Sequence, residues 1–372
     1  MPNSNAVVGR VIRLDPSLQE RSRGARTVEI GGDVRATIEA EDARSDDIAR
    51  LLDGMERLRR PVYLELNTST GSITRLLLPG IGHVAWSKAL ADGALEIQLD
   101  ASHAILTLRR SNPDFSIFSK RLLASEQDRE TPLVVTFEDD GAIIDVRSFR
   151  PDIDGDLPRL PPAPMPKAPV LNWFEKLMRW RIWPWSWCWW AGCISEARAR
   201  KVFGAMAAKT CPPLTVPAPC IPFLYPDDGC WARAHEMVRL MHDMGLRPGK
   251  IWIWGALLRP DTKNHPACEV GWRWHVAPTL CVARTQGFLF WTERMVFDPA
   301  LFSEPVTMKT WKDIQKSPSA MVTETAGTYY NWIWSEPDDF GYADTNYYLD
   351  FYRYQLLSRT ASYGPPPYAN CP

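Results

Sequence analysis

The stretch from Arg150 to Val170, RPDIDGDLPRLPPAPMPKAPV, is the part of this chain that regular structure cannot cross. Proline fixes φ and donates no backbone hydrogen bond, so neither a helix nor an interior strand survives such a density of it. The segment also lacks any hydrophobic period. It reads as a semi-rigid, extended linker at 150–170. That linker divides the 372 residues into a first unit at 1–149 and a second at 171–372.

The first unit alternates apolar and polar residues in the manner of strands, in the runs 62–66, 94–99, 104–108, 133–137 and 143–146. Asp140-Gly141 between the last two is a hairpin signal, because glycine tolerates the positive φ of a tight turn. One helix interrupts, with Ile48, Leu51, Leu52, Met55 and Leu58 at helical spacing before Pro61. No motif for chemistry stands out in this β-rich unit. An inhibitory cover, a targeting or binding module, and a scaffold are the roles open to it.

The second unit begins with LNWFEKLMRWRIWPWSWCWWAGC, residues 171–193, unlike anything else in the chain. Glu175, Lys176, Arg179 and Arg181 exclude a spanning helix, and Pro184 interrupts the apolar part. Packing against a core, a membrane-interface or partner contact through Trp180–Trp190, and a sugar platform compete for this segment. We read it as an amphipathic arm that packs in part. Elsewhere no apolar run reaches the length of a membrane span, and the N-terminus lacks the apolar region of a secretory signal. With 43 basic against 44 acidic residues and no block of like charge, nucleic acid is a poor partner.

Seven of the eight cysteines (Cys188, Cys193, Cys211, Cys220, Cys230, Cys268 and Cys281) fall between 188 and 281. This clustering permits disulfides within the second unit and leaves the compartment open. Reserving one cysteine as a nucleophile leaves an odd number to pair. The gaps among Cys188, Cys193, Cys211 and Cys220 fit no standard zinc spacing, so no metal is expected.

Cys230 is framed for chemistry. It follows Asp227-Asp228-Gly229 and opens a helix whose apolar stripe is Ala234, Met237, Val238 and Met241 and whose C-terminal cap is Gly245. Either aspartate suits the N-cap. Unpaired N–H groups and the positive end of the dipole at that terminus favour thiolate. A short helix at 195–209 precedes this element, and strands at 250–257, 270–283 and 295–297 follow it. One central helix against several strands is an α+β arrangement. Around His275 the pleat puts Gly271, Arg273, His275 and Ala277 on the smaller, more open face. Asp298 stands at a strand end. Cys230, His275 and Asp298 thus supply, in chain order, a thiolate, an imidazole to activate it and a carboxylate to orient the ring.

The competing reading of Cys230 is a buried structural cysteine. Cys268 and Cys281 flank His275 but begin no helix, which suits disulfide or core roles. His235 lies about 140° round the helix from Cys230 and cannot easily reach the thiol. His242 and His265 read as surface residues, and His83 and His103 as structural histidines of the β-rich unit.

Five strings in order, Pro222–Cys230, Ala232–His235, Lys250–Ile253, Trp274–Pro278 and Asp298-Pro299, closely resemble the bacterial protein glutaminase family. The resemblance runs from about 221 to 311. It implies a papain-like or transglutaminase-like catalytic domain that deamidates glutamine side chains of proteins, with no metal or organic cofactor. It also implies Cys230 as nucleophile, His275 as general base and acid, and Asp298 as the orienting carboxylate. The partner is then a protein or peptide with an exposed glutamine. Family members are secreted proenzymes whose N-terminal segment covers the site, which suggests export, whereas the N-terminus here carries no visible signal and its β-rich unit does not resemble that prosegment. A transglutaminase or cysteine peptidase with the same triad, and a non-catalytic binding protein using the tryptophan segment, are the alternatives.

Overall fold

A computed structural model describes residues 6–18, 24–128, 130–157, 193–213, 219–286, 289–330 and 339–371. The chain starts with strands β1 (Ala6–Asp15), β2 (Arg26–Ile30) and β3 (Val34–Ile38), then helix α1 (Ser45–Leu58), then β4 (Pro61–Leu66) and β5 (Ile73–Leu77). These strands form one sheet in the order β3-β2-β1-β4-β5. Next come β6 (Gly80–Gly82), β7 (Val84–Ala89), β8 (Leu95–Leu99), β9 (Leu106–Leu108), helix α2 (Phe115–Gln127), β10 (Leu133–Phe137) and β11 (Ile143–Ser148). They make two three-stranded sheets, β7-β8-β9 and β11-β10-β6.

Beyond the turn of helix α3 (Pro151–Asp154) lie β12 (Ile194–Ser195), α4 (Glu196–Ala207), α5 (Cys230–Asp243), β13 (Gly249–Leu258), β14 (Trp272–Gln286) and β15 (Leu289–Val296). The chain closes with β16 (Val306–Thr307), α6 (Met308–Asp313), β17 (Met321–Ala326) and α7 (Ala343–Tyr363). Here the sheet order is β16-β15-β14-β13-β17, with β12 parallel to β14. Helix α5 packs on β14 because Ala234, Met237, Val238 and Met241 form its buried stripe.

Several expectations meet the structure directly. Asp140-Gly141 does turn the β10–β11 hairpin, with Gly141 at φ 78°. Helix α1 buries Ile48, Leu51, Leu52 and Met55 and stops short of Pro61. The single helix expected in the first unit is corrected by a second, α2. Its buried face is only Phe118, Leu122 and Ser125, a stripe too narrow to stand out from the sequence. The linker is corrected at its start: Pro151–Asp154 turns helically, and Asp154 is fully buried as an acceptor for Arg147 and the Arg150 N–H. The rest of the linker, the tryptophan segment and Cys188 lie outside the described residues.

Several apolar cores form among the described residues, and two are the largest. One is continuous from Val11, Ile30, Leu52 and Met55 to Phe203, Trp231, Tyr352 and Leu356, so residues 6–78 share apolar packing with α4, α5 and α7. The other is confined to Val84–Val146. Disulfides join Cys193 to Cys281, Cys211 to Cys220 and Cys268 to Cys371. Among the described residues Cys230 is the free cysteine.

Candidate active site

The turn before Cys230 depends on Gly229. It sits at φ 76°, and a Cβ there would come within 2.3 Å of the Tyr352 ring, so both backbone and space exclude a side chain. Arg233, one turn into α5, is buried and donates to the carbonyls of Tyr225, Pro226 and Asp228, fastening the loop to the helix it precedes. Neither aspartate caps the helix as expected; Gly229 is the N-cap, without a side-chain cap. Asp227 accepts two hydrogen bonds from Arg359, at 2.7 and 2.8 Å, and lies 3.0 Å from His265 Nε2. Burial opposes its charge, but Arg359 and His265 outweigh that and hold its carboxyl well below the usual range. His265 is therefore buried at this junction and not a surface residue.

Cys230 is 1% exposed at the first position of α5. Burial pushes its thiol well above the usual value, against the lowering by Arg233 and a backbone hydrogen bond from Val276. The thiolate expected from the helix terminus alone is thus corrected: in the closed fold desolvation exceeds the favourable partial charges.

His275 and Asp298 meet in the structure. Nε2 of the imidazole lies 2.8 Å from Asp298 Oδ2, which also accepts from Trp311 Nε1 at 3.0 Å. Burial would raise the Asp298 carboxyl, yet His275 and Trp311 bring it below its ordinary value. The open face expected for His275 is corrected too, since the ring is 1% exposed and lies between two indoles. Trp272 stacks on it at 4.3 Å and Trp311 lies on it at 5.5 Å. The β13–β14 register shifts beside Trp272, between Trp254 and Leu258, where β13 carries the extra residues. With Nε2 committed, Nδ1 is buried and has no hydrogen-bond partner among the described residues.

A segment of the first unit lies on this site. His103, fully buried, stacks at 6.3 Å from the His275 ring and packs edge-on against Trp231 at 5.6 Å. Residues 103–105 run antiparallel to the start of β14: Ile105 N–H donates to Gly271 C=O at 3.0 Å, and Arg273 N–H to His103 C=O at 3.2 Å. Ser102 Oγ and His103 N–H donate to Asp228 at 2.5 and 3.3 Å. Asp228 also accepts from Gly229 N–H at 2.8 Å, and burial lifts its carboxyl to about 6. His103 Nδ1 lies 2.9 Å from Trp274 C=O, and burial with neighbouring His275 and Arg233 keeps the ring neutral.

Sequence reasoning missed Trp272, Trp311, Asp228 and His103 as site residues. The run of tryptophans around His275 was the available signal for the first; His103 had none, because its role depends on contacts with residues more than a hundred positions away. His235 stays apart from the thiol, bonded instead to buried Lys250 at 2.7 Å. Cys268 and Cys281, the rival nucleophiles, are both in disulfides. Among the described residues no group of three or more His, Cys, Asp or Glu could hold a metal ion, and no helix is long and apolar enough to cross a membrane.

A crystal structure of pro-protein-glutaminase is 21% identical, covering 80% of this chain and 99% of its own, with a TM-score of 0.46. A crystal structure of protein-glutaminase is 27% identical over 49% of this chain and 98% of its own, with a TM-score of 0.36. The NMR structure of protein-glutaminase from Chryseobacterium proteolyticum is likewise 27% identical, over 48% and 97%, with a TM-score of 0.35. No curated protein sequence matches the chain. Residues 199–315, the segment that carries Cys230, His275 and Asp298, match a family model described as glutaminase.

Proposed function

We propose that this protein deamidates glutamine side chains of other proteins, with Cys230 as nucleophile, His275 as base and acid, and Asp298 as the group that orients His275. The observation that carries the reading is the buried His275–Asp298 pair at 2.8 Å, whose Nδ1 has no hydrogen-bond partner among the described residues, next in the chain to Val276, whose backbone bonds the Cys230 thiol. Nδ1 takes the Cys230 proton, and the sulfur attacks the γ-carboxamide carbon. The tetrahedral oxyanion draws on the Cys230 N–H at the helix start. As it collapses, the imidazolium protonates the departing nitrogen, ammonia leaves and a thioester remains. Water then adds to the thioester with His275 as base, giving glutamate and the free thiol. No metal or cofactor enters these steps.

Residues 102–105 lie where a substrate chain would have to approach, which favours an inhibitory cover over a targeting module for the first unit. Three disulfides favour an oxidising compartment, in line with export. The test is ammonia release from an unfolded protein, before and after limited proteolysis, with the parent chain and Cys230→Ala. A mass gain of about one dalton per event without chain cleavage, lost in the variant, is expected. Cross-linked products would favour a transglutaminase, new termini a peptidase, and turnover unaffected by Cys230→Ala would remove the reading.

A further inference from the structure

Trp311 is fully buried in α6, and its place there is set by the local backbone. Thr307 Oγ1 caps the helix by accepting from Thr310 N–H at 3.1 Å, and Gln315 Nε2 donates to the Trp311 carbonyl at 3.2 Å. β16 pairs with the end of β15, Val306 opposite Val296, which brings the start of α6 beside the strand that leads into Asp298. The indole then makes two contacts with the His275–Asp298 pair. Its ring lies 5.5 Å from the imidazole at 26°, and its N–H donates to Asp298 Oδ2 at 3.0 Å. That oxygen is also the one facing His275 Nε2 at 2.8 Å, so one acceptor serves two donors. Trp272, on the same imidazole, differs: it stacks at 4.3 Å, but its Nε1 donates to Asp227 C=O at 2.9 Å. A buried indole N–H needs an acceptor, and a backbone carbonyl suffices. Trp311 gives its own to the carboxylate.

Building on the deamidase reading, we propose that Trp311 is a positioning residue for the proton of His275: its N–H limits how strongly Asp298 holds the imidazolium formed when Cys230 gives up its proton. A donor stabilises the ionised carboxylate and makes it a weaker partner for a second donor. The proton on Nε2 then stays with His275 and does not cross to Asp298, which leaves Nδ1 as the base. The imidazolium is held firmly enough to form and loosely enough to return a proton to the departing nitrogen. Trp311 acts through Asp298, so its influence falls on turnover and its pH profile and not on substrate binding. Other charged groups face the pair. Arg233 of α5 acts on Asp298 and Cys230, Asp228 acts on Cys230, and His103 of the first unit stacks beside His275. Ile253 of β13 is opposite His275 in the sheet. Lys309 and Asp313 of α6 pair with each other in solvent, and Lys312 is half-buried. All are unchanged when the indole N–H is removed.

The test removes that N–H and keeps a ring, by Trp311→Phe and by replacing Trp311 with its benzothienyl isostere, in which sulfur stands in place of N–H. The isostere keeps the volume, so a packing loss in the phenylalanine variant does not decide the outcome. In the full chain carrying isotope-labelled histidine, the proton resonance of His275 Nε2 should move downfield in both variants, because Asp298 Oδ2 is left with one donor. After limited proteolysis, ammonia release from an unfolded protein is followed against pH. The acid limb of kcat/KM, which belongs to the His275–Asp298 pair as a unit, should rise by about half to one pH unit. At the pH optimum kcat should fall about three- to tenfold with KM unchanged. A role in packing alone lowers kcat and leaves the limb and the resonance where the parent has them. Either of them unmoved in the isostere overturns the proposal, and so does a raised KM with unchanged kcat. These results leave the deamidase reading standing, because ammonia is still released. No ammonia from the proteolysed parent removes that reading and this inference with it.

Discussion

Residues 6–78 and residues 80–149 precede the same elements of the candidate site, but they are held against them by different forces. The first stretch shares an apolar core with them. Leu52 and Met55 belong to the same cluster as Trp231, Tyr352 and Leu356, and Tyr354 of α7 packs so closely on Gly54 that a Cβ there would lie 2.3 Å from it. The second stretch keeps its core to itself and meets the catalytic side chiefly through polar groups. Asp139 bonds Arg359, Glu96 bonds Arg259, Trp86 lies under Arg273, and Ser102 and His103 reach Asp228. Apolar burial has no substitute in water, whereas polar groups that part from one another can take water as the new partner. One part is built in, and the other can be lifted.

The hardest test of that contrast removes both parts. A chain beginning near Val170 should release ammonia at least about tenfold faster than the full chain, while its melting temperature falls because the apolar faces of α5 and α7 are uncovered. Unchanged activity would end the cover hypothesis. Next in size is a pair of core truncations. Leu52→Ala should cost about 2–5 kcal/mol in chemical denaturation without raising activity, whereas Ile97→Ala, of similar cost to its own core, should raise activity by loosening the segment on the site. If both variants behave alike, the two regions are one cooperative unit.

A pH series sharpens the comparison further. The Asp228 carboxyl is raised by burial, so the fold favours its protonated form. Its contribution is full below the unfolded value of 3.8 and is lost as pH rises through about 6. Asp228→Asn does not ionise there, so it should gain on the parent between about pH 4 and pH 7, by on the order of 3 kcal/mol in paired denaturation curves. Neutral His103 acts in the opposite sense, losing stability as pH falls, and with Nε2 3.3 Å from Asp228 Oδ1 it is coupled to that carboxylate. A constant gap across that range would remove the assigned titration. The smallest effect belongs to Asp139→Ala, which takes one carboxylate from Arg359 and leaves Asp227 in place. Activity should rise about two- to fivefold, at a stability cost of about 1–3 kcal/mol, since Arg359 is buried but stays paired with Asp227. A rise as large as that from truncation would make this one contact the latch.

Much of the second unit was legible because its signals are local. The turn at Asp227–Gly229, the stripe of α5, the cap at Gly245 and the strands around His275 each follow from backbone geometry within a few residues. The first unit was read less well: β1, β2, β3, β5 and β7 have weak alternation, and α2 has a narrow buried face. The roles given to Asp227 and Asp228 failed for a different reason. Both are good N-cap residues in isolation, but Arg359 and Ser102, 132 and 126 positions away, claim their carboxylates.

By itself the sequence determined which residues could do chemistry and on which elements they sit: a cysteine at a helix start, a histidine within a strand and an aspartate at a strand end. Periodicity and turn chemistry depend on neighbours in the chain, so one chain suffices to read them. Only the tertiary structure decided that His275 gives Nε2 to Asp298 while Nδ1 has no partner among the described residues, that two indoles stack on its ring, that the thiol is buried, and that His103 of the first unit stacks beside the imidazole. Those outcomes rest on desolvation and on contacts between distant segments, and neither exists until the whole chain has folded.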